Sequence, residues 1–87
     1  MTSRHAESTA ALQHGLGRSS WTISDLWVAA TGIGGDLSRS DVAEITSGAR
    51  PATREEHNVL ATALNDWFSD HAQDHPIALW DGLVIAG

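Results

Sequence analysis

Apolar side chains recur at helical spacing in three stretches of this chain, and each stretch opens on the same polar signature. Leu26, Trp27 and Ala30 form the first set, Val42, Ile45 and Thr46 the second, and Leu60, Leu64, Trp67 and Phe68, widened by Val59 and Ala63, the third. Ahead of each stands a Ser or Thr with an acid three residues on: Thr22/Asp25, Ser38/Asp41 and Thr53/Glu56. In such a capping box the hydroxyl accepts from the N3 amide while the N3 carboxylate accepts from the cap's own amide. Trp21 before the first box with Leu26 after it, and Leu37 with Val42 at the second, have the spacing of hydrophobic staples. The pattern predicts helices over about 23–31, 39–47 and 54–71, with Gly32 and Gly48 as stops.

The connections agree with this division. The joint Gly32-Ile33-Gly34-Gly35-Asp36 is flexible, and Pro51 pushes Arg50 out of the helical region. Residues 1–20 are polar, small and glycine-dotted, with Ala10, Ala11 and Leu12 as the apolar content of a weak helical turn or two, so they read as a mobile tail. After an acidic stretch the chain turns apolar again from Pro76 to Ile85. That segment either folds back over the helices or inserts into something else. The expected fold is all-α: a compact three-helix unit, one domain over 21–87 that includes the apolar segment 76–87.

Composition narrows the function by exclusion. An 87-residue chain without cysteine has no disulfide and no thiolate metal site. No apolar run approaches the ~20 residues of a membrane span, and the first twenty residues lack a secretory apolar region. A cytoplasmic address and no membrane partner are therefore expected. The formal charge is −6, there is no lysine, and from Thr62 onward Asp66, Asp70, Asp74 and Asp81 meet no arginine. Such a field repels phosphate backbones and attracts basic surfaces.

Candidate chemistry is sparse. His71 and His75 stand at i and i+4 beside Asp70 and Asp74, but Pro76 ends a helix there and no third ligand is in view, so a solvated helix end is the expectation. Gly32 to Gly35 is no phosphate loop, having no Lys and an adjacent Asp36. Asp36-Leu37-Ser38 has the wrong order for a carrier-protein attachment motif, and Ser38 is better used as a cap. Many of the serines lie at caps or in the N-terminal stretch rather than beside a histidine, and His57 reads as half-buried. No catalytic residue, cofactor or metal is expected.

Two binding classes remain. The leading one is a small regulatory or adaptor module that binds a partner protein through Asp66, Asp70, Trp80, Asp81 and Leu83, acidic charge beside apolar anchors. The partner is unspecified, and a homodimer is allowed. The alternative is a DNA-binding transcriptional regulator of helix-turn-helix type, with Arg54 and Asn58 reading bases and Arg39 and Arg50 touching phosphates. Against it stand Glu55, Glu56, Asp66 and Asp70 on the recognition helix and a turn lengthened by Pro51.

The run Trp27…Gly34-Gly35-Asp36-Leu37-Ser38…Gly48…Glu56-His57-Asn58-Val59-Leu60-Ala61…Ala63-Leu64-Asn65-Asp66 resembles a group of short actinobacterial helical proteins without an assigned activity. The resemblance lies in the Gly-Gly before a helix and the Leu-Ala-x-Ala-Leu-Asn segment of the last helix. It implies a helical fold and a bacterial source, and it implies no catalytic or ligand residue.

Overall fold

In the computed structural model, which describes residues 4–71 and 77–83, the chain is all-α. Four helices follow one another: α1 (Arg4–Arg18), α2 (Ile23–Gly32), α3 (Arg39–Ser47) and α4 (Arg54–Asp70). A single 3-10 turn over Trp80–Gly82 closes the described chain. The three expected helices are present within a residue or so of their predicted ends. All three capping boxes are fully formed: Thr22 with Asp25, Ser38 with Asp41, and Thr53 with Glu56 exchange both hydrogen bonds. Gly48 takes the left-handed conformation (φ 84°) that ends α3.

The N-terminal stretch departs from expectation. In place of a mobile tail, Arg4–Arg18 form a 15-residue helix that buries Ser8, Leu12 and Gly15. The three-helix unit is a four-helix one. The spacing of those residues is helical, but only Leu12 is a large apolar side chain, so hydropathy does not mark the face. Close approach does. A Cβ on Gly15 would stand 2.6 Å from Ile77 Cδ1 and 3.2 Å from Leu64 Cδ1. Glycine lets α1 sit directly on its neighbours.

Helix α4 is the centre of the assembly. It packs against α1 and α2, and α3 packs against the same two helices. Its face of Leu60, Ala61, Ala63, Leu64, Trp67 and Phe68 is buried, and Leu12, Leu26, Ala30, Val42, Ile45, Ala52 and Ile77 complete the core. Each fully buried Leu or Phe contributes about 1.5–3 kcal/mol by leaving water. Of the four tryptophans only Trp67 is buried; Trp21 and Trp27 are partly buried and pack against the core. Trp27 keeps its indole N–H satisfied by donating to the Leu37 carbonyl at 3.0 Å.

Arg50 ties α3 to α4. Its guanidinium donates to both Glu56 carboxylate oxygens (3.0 and 2.9 Å) and lies 3.4 Å from Asp41 and 3.9 Å from Glu44. Asp41 and Glu56 are the N3 residues of two capping boxes, so one cation neutralises both. Arg50 is the first cause holding the Glu56 carboxyl below its ordinary value. The Asp41 carboxyl is lowered mainly by the backbone amide of Ser38.

Candidate interaction surfaces

The described part of the apolar C-terminal segment, residues 77–83, folds back onto the helices. It lies along α4 in the opposite overall direction, with Ile77 held at Asn65 and Asp81 at Arg54, nearer the start of the helix. Asn65 clamps Ile77 by donating to its carbonyl (3.0 Å) and accepting its N–H (2.6 Å). The next carbonyl, that of Ala78, accepts from His57 Nε2 at 2.7 Å, and the N–H of Trp80 donates to Asn58 Oδ1 at 2.8 Å. Arg54 pairs with Asp81.

His57 is the buried hub of this seam, with no solvent exposure. A carbonyl only accepts, so Nε2 carries the proton toward Ala78 and Nδ1 is left as an acceptor. Ser8 of α1 meets it, with Oγ 2.7 Å from Nδ1, and is itself fully buried. Burial pushes the imidazole below its ordinary value, against the smaller opposing effect of the Ala78 carbonyl. A serine hydroxyl on an imidazole has the parts of a nucleophile and base, yet no substrate reaches a pair sealed on both sides.

Of the five residues expected on a partner surface, Asp66, Asp70 and Asp81 are exposed. Trp80 is half-buried, its ring 5.3 Å from that of His5 and 5.9 Å from that of His57, with the Arg4 guanidinium 6.0 Å from its centroid. Leu83 is buried and offers nothing to a partner while the segment is seated. The four residues of the DNA reading are all engaged within the chain. Arg39 donates to Ser24 Oγ at 2.7 Å, Arg50 and Arg54 face carboxylates, and Asn58 holds the Trp80 amide.

Two concavities open elsewhere. A shallow groove of about 730 Å³ runs between the end of α1, the start of α2 and the flank of α3, walled by Leu16, Trp21, Ile23 and Ala43 with a serine rim. Trp21 meets Trp67 edge-on at 6.4 Å, and Asp66 and Asp70 lie exposed on the same end of α4 as Trp67. A second cleft of about 320 Å³ is walled by Asp36, Asp41, Glu55 and Glu56, of which Asp41 and Glu56 are already held by caps and Arg50. The Asp70–His75 cluster falls largely outside the described residues. Its described histidine, His71, stacks on Trp67 at 4.0 Å and turns Nδ1 to the Trp67 carbonyl at 2.9 Å. Among the described residues no three His, Asp or Glu side chains converge as metal ligands, and no helix is long and apolar enough to cross a membrane.

Sequence reasoning missed Gly15 and Asn65 as partners of the folded-back segment and Ser8 as the partner of His57, and placed His57 at half burial. One signal was available: His57, Asn58 and Asn65 form a polar edge along the apolar stripe of α4, as a helix needs to satisfy a neighbouring backbone. No family model matches the chain, and neither the curated proteins nor the solved structures contain a match.

Proposed function

We propose that this chain is a small, acidic, non-catalytic regulatory or adaptor module of the cytoplasm that binds a partner protein. The observation that carries the reading is the open groove of Leu16, Trp21, Ile23 and Ala43. It presents an aromatic wall and aliphatic floor without a charged group, the makeup of an interface centre rather than of an active site. The exposed carboxylates of Asp66 and Asp70 near the Trp21–Trp67 contact favour a partner with a basic rim. An amphipathic helix with one bulky apolar anchor fits such a groove. The closed Ser8–His57 pair and the intramolecular engagement of Arg39, Arg50, Arg54 and Asn58 both weigh toward this class over catalysis or base reading.

The test is affinity capture and crosslinking with the wild-type chain beside Ser20→Arg and Ser47→Arg, both exposed at the groove rim. The reading expects a specific protein to be captured by the wild type and lost with the rim variants, and kept by Val28→Asp, which is exposed and outside the groove lining. Capture indifferent to the rim variants would move the site elsewhere. A duplex-DNA complex that weakens steeply with added salt would replace this class by the DNA-binding one.

A further inference from the structure

The way residues 77–83 are held is unusual for a terminal segment joining a core. Four of its hydrogen bonds run from its backbone to side chains of α4: two to Asn65, one to His57 and one to Asn58. Its side chains contribute little area. Ala78, Leu79, Asp81 and Gly82 are exposed, Trp80 is half-buried, and only Ile77 and Leu83 are buried. Among the described residues, the four helices supply every member of the main core cluster except Ile77 and Ala52. Side-chain amides that read the N–H and C=O of an extended segment, with an apolar anchor at each end and one ion pair, are the chemistry of peptide recognition. The trough is also shaped in advance for its first anchor, since Gly15 leaves open the space that Ile77 Cδ1 occupies.

We propose that the trough between α1 and α4 is a peptide-docking site that the chain fills with its own 77–83 segment, and that a partner segment of the same chemistry displaces it. That chemistry is an aliphatic residue, an indole three positions later and a carboxylate immediately after it, on a backbone that is extended up to the indole and then turns. Asn65 takes the backbone at the aliphatic residue, Asn58 takes the amide of the indole residue, and Arg54 takes the carboxylate. This surface is distinct from the Trp21 groove, so either proposal can fail without the other. The resident segment sits at high effective concentration because it is tethered, so it blocks the trough against weak competitors. Only a segment with the matching anchors exchanges with it.

The experiment titrates a fluorescein-labelled peptide of sequence HPIALWDGLVIAG with full-length chain and follows anisotropy. Trp80→Ala in the protein weakens the resident segment, and the labelled peptide is expected to bind that variant about tenfold or more tighter than wild type, a difference of about 1.4 kcal/mol. Asp81→Ala removes only an exposed ion pair, keeps the fold, and is expected to give a few-fold gain in the same direction. Adding Asn65→Ala to either variant should abolish the gain, and a peptide lacking its aspartate should bind more weakly. Absence of saturable binding to the folded Asp81→Ala chain would overturn the proposal, as would binding indifferent to Asn65→Ala. Loss of helical circular dichroism in both Trp80→Ala and Asp81→Ala would overturn it too, because the segment would then be an integral part of the core.

Discussion

Ser8 and His57, on helices at opposite ends of the chain, share a 2.7 Å hydrogen bond from which water is excluded on both sides. The bond fixes the histidine's tautomer: with Nε2–H on the Ala78 carbonyl, Nδ1 has a buried lone pair that only Ser8 satisfies. Ser8→Ala strands that lone pair and is expected to cost about 1–3 kcal/mol. Chemical denaturation of the two proteins at pH 7.5 checks the figure. Ser8→Cys, a weak donor of similar volume, should fall between them.

The same histidine sets the response to acid. Its folded value lies below 6.5, its ordinary one, so as pH falls through that value the unfolded chain takes up a proton that the folded chain refuses. Stability should therefore be level above about pH 7 and decline as pH drops from there toward 5. Thermal midpoints across that range measure the slope, which should shrink in His57→Gln. A second decline is expected as pH falls through the ordinary 4.5 of Glu56, whose depressed folded value makes its stabilisation an alkaline-side contribution lost on protonation.

Two glycines should respond to alanine with opposite signs. Gly17 in α1 has open space where a Cβ would go, so Gly17→Ala gains helix propensity and is expected to stabilise by roughly 0.5–1 kcal/mol. Gly35 lies where a Cβ would meet Val59 Cγ1 at 2.8 Å and the Ala30 carbonyl oxygen at 2.9 Å. The oxygen belongs to backbone and has nowhere to go, because it already accepts from the Gly35 amide at 3.0 Å. Gly35→Ala should cost about 1–3 kcal/mol by forcing the α2–α3 joint apart. Urea midpoints of the pair test the sign of each.

Leu64 has no exposure and sits among α1, α4 and the folded-back segment. Leu64→Ala is expected to cost about 2–5 kcal/mol. Thr53→Ala removes one cap at an exposed helix start and should cost only about 1 kcal/mol. Guanidinium titrations that ranked the two in the reverse order would contradict the assignment of the buried face.

The sequence announces helices wherever local chemistry does the work. A hydroxyl, a carboxylate three residues on and an apolar periodicity are all readable within one turn, and α2, α3 and α4 begin where those signals stand. Helix α1 was hidden because its buried face is Ser8, Leu12 and Gly15: one residue is there for a hydrogen bond and another for its lack of a side chain. Neither purpose is visible without the partner, which lies in α4 or the C-terminal segment. The docking of that segment is illegible for the same reason. Asn58 and Asn65 look like solvated helix residues until an extended backbone is laid against them. The acidic residues Asp66 and Asp70 are exposed as their spacing suggests, whereas Asp81 is claimed by an arginine 27 positions earlier.

Arg50 gives the starts of α3 and α4 a common fate. Because Asp41 and Glu56 each close a capping box and each face the same guanidinium, fraying of α3 at its first turn leaves Arg50 free to shift, and α4 loses part of its own closure. The amides of the two first turns should then exchange with deuterium together, as one opening event, although 15 residues separate their caps. In Arg50→Ala the two turns should open independently and at different rates. A cation placed between two carboxylates thus acts as a timing element, keeping the middle of the chain from loosening one helix at a time.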